Sequence, residues 1–82
     1  MKQKTIKVSA SLEARTAALF VQTAGKFQST VKIRINDKEA NAKSIMGMIS
    51  LGLLEGNTIT ITTEGPDEDK ALSESCNFFI TG

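Results

Sequence analysis

The apolar residues of this chain change their period several times, and that limits the fold more than any single motif does. Residues 31–35, VKIRI, alternate strictly, with Val31, Ile33 and Ile35 on one side and Lys32 and Arg34 on the other. Such a two-residue period is the mark of a pleated strand with one face buried. Residues 5–10, TIKVSA, put Ile6, Val8 and Ala10 on one face. Residues 58–63, TITITT, put Ile59 and Ile61 inside and threonines outside. Asn36-Asp37 is a hairpin turn that predicts a short further strand near 38–42. Between these stretches the period lengthens. Residues 14–27 set Ala14, Ala17, Ala18, Val21, Ala24 and Phe27 at helical spacing. Residues 44–52, SIMGMISLG, read as a helix of about two turns, with Ser44 as N-cap and Gly52 as stop. Gly56-Asn57 is a turn. Pro66 and the acids Asp67, Glu68 and Asp69 open a last helix, whose inner face carries Leu72, Cys76 and Phe79. The order is β-α-β-β-α-β-α. It predicts an α+β fold, a split β-α-β arrangement with three helices on one face of a four-stranded antiparallel sheet.

Composition narrows the function. The 82 residues predict one domain over 1–82, 40% apolar and 23% charged, which is ordinary globular usage. No histidine occurs, so imidazole acid–base chemistry, His-assisted nucleophiles and His-containing zinc sites are excluded. One cysteine makes neither an internal disulfide nor a thiolate metal site. With four Phe and no Trp or Tyr, stacking platforms for single-stranded nucleic acid are poorly supplied. No apolar run approaches the roughly 20 residues of a membrane helix, and the start, MKQKTIKVSA, lacks the apolar stretch of a signal peptide. A cytoplasmic domain is expected that is no enzyme, binds no metal or cofactor, and contacts neither nucleic acid nor membrane directly.

The net charge of +1 conceals an asymmetry. Residues 1–43 carry nine basic and three acidic side chains, whereas residues 44–82 carry one basic and six acidic. Either the charges decorate solvated faces, or a basic face meets an acidic or phosphorylated partner. Asp67-Glu68-Asp69 lacks the spacing of a calcium loop and suits a helix N-terminus. Cys76 falls between Leu72 and Phe79 at helical spacing and reads as a buried, inert thiol.

Two segments carry functional interest. A two-turn helix starting at Ser44 cannot bury Ile45, Met46, Met48 and Ile49 together on a small sheet, so part of that set is expected on the surface as a partner patch. Arg15 lies in the first turn of a helix, where a cation opposes the dipole, and there it could serve an anionic ligand. Ser11 is the better N-cap for that helix by residue type.

These segments resemble a known family. LEARTAALFVQTAGKF (12–27), KSIMGMISLG (43–52) and TITITTEGPDEDKAL (58–72) are similar to the active-site loop and first helix, the regulatory-serine segment, and the last strand and acidic helix start of HPr, the small phosphocarrier of the bacterial sugar phosphotransferase system. The resemblance spans almost the whole chain and implies an HPr-like open-faced β-sandwich. It also implies a helix start nearer Glu13 than Ser11.

HPr phosphocarriers have a glycine, an apolar residue, the phosphorylated histidine and then Ala-Arg-Pro. Here the matching residues are Ser11, Leu12, Glu13, Ala14, Arg15 and Thr16. Glu13, at the degenerate histidine position, cannot form a phosphoramidate, so histidine phosphotransfer is expected to be lost. Its carboxylate either imitates a phosphohistidine, or pairs with Arg15, or is a drifted surface residue. The serine site is intact. The resemblance implies a Crh-type regulatory protein, phosphorylated on Ser44 by HPr kinase/phosphorylase and acting as corepressor of a LacI-type catabolite control transcription factor. Arg15, Lys43, Ile45, Met46 and Ile49 would meet those partners. The alternative it allows is docking on phosphotransferase-system or glycolytic enzymes without transfer. A homodimer, formed by exchange of residues 2–8, is also compatible with it.

Overall fold

The computed structural model describes residues 1–9 and 11–81, with Thr81 described in its backbone only. The elements are β1 (Lys2–Lys7), α1 (Ala14–Gly25), β2 (Thr30–Ile35), β3 (Lys38–Asn41), α2 (Ile45–Ser50), β4 (Thr58–Glu64) and α3 (Glu68–Thr81). The element order is the expected one. The sheet runs β1-β4-β2-β3, and every neighbouring pair is antiparallel. It is open, with β1 and β3 at its edges.

Register follows the alternation. Ile6, Ile59, Ile61, Val31, Ile33 and Ile35 share the buried face, where the helices cover them. Lys32 pairs with Thr62, and Arg34 with Thr60, on the face left open. There Thr5 and Thr60 join hydroxyls at 3.1 Å. Asn36 takes a positive φ of 54°, as a two-residue hairpin between Ile35 and Lys38 requires. Phe20 occupies the middle of the core, fully buried. Its ring centroid lies 4.7 Å from that of Phe79 and 5.1 Å from that of Phe78. Cys76 is buried as expected, and burial raises its thiol pKa.

Boundaries differ from the sequence reading by more than one residue in three places. β1 begins at Lys2 and ends at Lys7, while Ala10, expected on its inner face, lies outside the described residues. The exposed side chains of residues 2–5 give no apolar signal, and the backbone pairing of Lys2–Lys7 with β4 decides the strand. α1 stops at Gly25, so Phe27 is buried from the turn beyond it. Pro66 precedes α3 rather than sitting in its first turn.

The reason for the last difference is a polar lock. The Asp67 carboxylate accepts the backbone N–H groups of Gln28 (3.1 Å) and Ser29 (2.9 Å) as well as the Ser29 hydroxyl. The Asp67 N–H donates back to Ser29 Oγ at 3.2 Å. Glu68 accepts the Gly65 N–H at 3.1 Å and meets the N-terminal ammonium at 3.1 Å. The acids thus fasten the start of α3 to the residues just before β2, to the turn after β4 and to the chain's first residue.

Both carboxyls are held below their ordinary pKa values. For Asp67 the Ser29 hydroxyl is the main cause; for Glu68 it is the Gly65 N–H, then the N-terminal ammonium. A depressed carboxyl stabilises the fold above its unfolded pKa, and that contribution is lost as pH falls through the folded value. Urea unfolding midpoints should therefore be level from pH 7 to about pH 5 and fall below about pH 4. Asp67→Asn should flatten that acid limb; an unchanged limb would remove the assignment.

Candidate functional site

α2 is short, so its ends determine its chemistry. Ser44 holds extended backbone (φ −112°, ψ 116°), and its Oγ accepts the Gly47 N–H at 3.2 Å, the N-cap arrangement expected of it. A Cβ on residue 47 would stand 3.3 Å from Ser44 Oγ and 3.4 Å from the Ala40 Cβ, so glycine keeps that corner uncrowded. Ser44 itself is exposed.

The apolar set divides as two helical turns on a small sheet require. Met48 is fully buried, whereas Ile45, Met46 and Ile49 remain 44%, 76% and 42% exposed. A hydroxyl and a flexible apolar patch therefore lie on one six-residue helix, with no acidic residue in its first turn.

Lys43 has a different occupation from a bare neighbouring charge. Its ammonium donates to the Phe27 carbonyl at 2.8 Å, beyond the end of α1, while its N–H donates to Asn41 Oδ1 at 2.9 Å. It ties the approach to Ser44 onto the turn between α1 and β2.

At the other segment Glu13, not Ser11, is the N-cap of α1. Its backbone is extended (φ −90°, ψ 171°) and its side chain makes no capping bond. Residue type favoured Ser11, but the Ser11 hydroxyl is used elsewhere, accepting the Glu55 N–H at 3.3 Å. The Leu12 N–H donates to the Leu53 carbonyl at 3.0 Å. Residues 11–12 are thereby bound to the 53–55 turn, and the helix can begin only after them. Arg15 is exposed in the first turn, and no ion pair joins it to Glu13 among the described residues. Among the described residues no carboxylate forms an ion pair with this cation at the positive end of α1.

Two further exposed side chains escaped the sequence reading. Leu19 lies one turn beyond Arg15 on the same helical face, and Leu54 projects from the turn that holds Ser11. The four-residue spacing from Arg15 was a usable signal for Leu19. For Leu54 the signal was the pair Leu53-Leu54, of which only Leu53 is buried.

The family model for the PTS HPr component phosphorylation site matches residues 1–80. The chain belongs to the HPr family. It is 51% identical over 71 residues to the HPr-like protein Crh of Halalkalibacterium halodurans, covering 87% of this chain and 84% of that protein. The crystal structure of the HPr phosphocarrier of Bacillus anthracis superposes with a TM-score of 0.91 at 45% identity, over 95% of each chain. Crh of Bacillus subtilis, crystallised as a swapping-domain dimer, gives 0.79 at 41% identity over 96% of this chain and 93% of that one. The HPr fold seen in those structures is the open sheet with three helices described above. Within it this HPr chain carries glutamate at the α1 N-cap and serine at the α2 N-cap.

Proposed function

We propose that this chain is a regulatory HPr protein of the Crh type, a single domain over residues 1–82 working in the cytoplasm without enzymatic activity. HPr kinase/phosphorylase transfers the γ-phosphoryl of ATP to the Ser44 oxygen, and ADP leaves. The phosphoprotein then binds a LacI-type catabolite control transcription factor as corepressor. The observation that carries this reading is an exposed Ser44 hydroxyl on the same short helix as exposed Ile45, Met46 and Ile49. A phosphoryl group adds roughly −1.5 to −2 charge, at a helix start where negative charge is favourable. Recognition would then change by charge beside an apolar contact, with little change in the fold.

In this reading Arg15, Ile45, Met46 and Ile49 meet the partner. Lys43 holds the α2 approach in place through Phe27 and adds a positive charge next to Ser44. Glu13 is a surface N-cap. With no histidine in the chain, no phosphohistidine forms on it. A second reading, docking on phosphotransferase-system or glycolytic enzymes without transfer, rests on the exposed Arg15 at the start of α1, which has no ion pair among the described residues. A homodimer by exchange of β1 is proposed by likeness to the swapping-domain dimer of the Bacillus subtilis relative.

Incubation with HPr kinase/phosphorylase and ATP, followed by peptide mass spectrometry, should find one phosphate on Ser44 and none on Ser44→Ala. A folded wild-type sample that stays unmodified would overturn the regulatory reading and leave the docking one.

A further inference from the structure

The β1 edge of the sheet is built to receive another strand. The Val8 N–H donates to the Asn57 carbonyl at 2.8 Å, and the Val8 carbonyl accepts the Gly56 N–H at 2.8 Å, so Val8 faces the β4 side. Strand alternation then turns the backbone groups of Lys2, Lys4 and Ile6 toward β4 and those of Gln3, Thr5 and Lys7 away from it. Ser9 continues the outward row, and it is already engaged: its N–H and its hydroxyl both reach the Phe79 carbonyl, at 3.1 and 2.7 Å. Gln3, Thr5 and Lys7 are left presenting unpaired backbone groups, with no acceptor or donor for that row among the described residues.

Beside this row α3 overhangs the sheet. Asp69, Leu72, Ser73, Cys76 and Ile80 fall at helical spacing on one side of α3 and, with Lys4, line a groove of about 250 Å³. Leu72 is half-buried and Ile80 is exposed, so the groove has an apolar floor that β1 does not cover. A fifth strand in the sheet plane would put alternate side chains over that floor.

The charges choose the occupant. β1 carries Lys2, Lys4 and Lys7, and among the described residues only Lys2 has a carboxylate partner, Asp69 at 3.5 Å. A second copy of β1 would bring three more lysines to the same edge, and lysines gathered at an edge keep such strands apart. We propose that the β1 edge and the α3 groove bind an extended acidic segment of a partner protein by strand addition. Its main chain pairs with Gln3, Thr5 and Lys7, its carboxylates lie on the open face, where Lys7 projects, and its alternate apolar side chains lie on the opposite face, beside Lys4 and over Leu72, Cys76 and Ile80. This surface does not involve Ser44, and its test is independent of that site.

The probe is a synthetic peptide, acetyl-Glu-Val-Glu-Leu-Glu-Val-Glu-amide, titrated into the ¹⁵N-labelled full chain. Saturable shifts confined to residues 3–7 and 72–80, and amide exchange at Gln3, Thr5 and Lys7 slowed about tenfold, are expected. Binding should weaken with added salt and by about fivefold in Lys7→Glu, an exposed change that leaves the melting temperature in place. The same peptide with lysine for glutamate should not bind. An absence of saturable shifts at millimolar peptide would overturn the proposal and leave the lysines as guards of a bare edge. Shifts that instead track protein concentration without peptide would make the occupant a second copy, and shifts centred on α1 and α2 would move the site.

Discussion

Gly65→Ala should lower the melting temperature by roughly 15 °C, for two separable reasons. Gly65 has φ +149°, a conformation that L side chains rarely adopt, and holding alanine there costs about 1–3 kcal/mol. A Cβ at that position would also lie 2.6 Å from the Ser29 Cα and Oγ, and crowding of this kind costs about 1–3 kcal/mol more. A backbone carbon cannot swing aside as a flexible side chain can. The strain must therefore move β2 away from the β4–α3 turn and break the Ser29–Asp67 lock. Gly56→Ala is the matched control. Its φ of +90° is also positive, but the added Cβ meets nothing within 4 Å, so strain alone should cost about 1 kcal/mol. Thermal melts of the two variants decide the matter: equal losses would mean that the approach of Ser29 to Gly65 plays no part.

That turn also explains how far the sequence could be read. Strict alternation at 31–35 and 58–63 was enough to place β2 and β4, because each has one buried face. Lys2, Gln3, Lys4 and Thr5 belong to a strand that is held by backbone pairing and ion pairs, and no apolar period reports those. The proline-acid signal correctly announced α3, but residues 66–67 are spent on a lock across about forty positions of sequence, and spacing within one element cannot reveal such a partner.

At the site, the spread of apolar residues around α2 predicted that some must face solvent. Which one is buried depends on how the helix is set against its neighbours, and Met48 is that one. N-cap preference succeeded at Ser44 and failed at Ser11. At Ser44 no other group among the described residues engages the hydroxyl, while the Ser11 hydroxyl is drawn to the Glu55 N–H. Local propensity is overruled where a loop is pinned by a distant segment. Lys43 shows the same limit, since its adjacency to Ser44 is visible in sequence and its bond to Phe27 is not.

Phe20→Ala should be the most damaging core change, with a loss of about 4 kcal/mol in urea titration. A domain of this length has a total stability of only roughly 4–12 kcal/mol, so the variant keeps a small reserve or none. Phe20 is fully buried and tilted against both Phe79 and Phe78, and those rings lie on α3. Truncation therefore empties the junction where α1 meets α3 rather than trimming a margin. Phe78 is half-buried, and Phe78→Ala should cost clearly less, about 2 kcal/mol. Similar losses in the two variants would place the centre of the core elsewhere. The effect extends to the candidate surface, because the helix that Phe20 anchors also presents Arg15 and Leu19. At a temperature where Phe20→Ala is still folded, amide exchange should quicken along α1 more than in β2 and β4, since the sheet keeps its own pairing when that contact is lost. On the proposed reading, in which Arg15 meets a partner, that binding should then weaken although Arg15 itself is untouched.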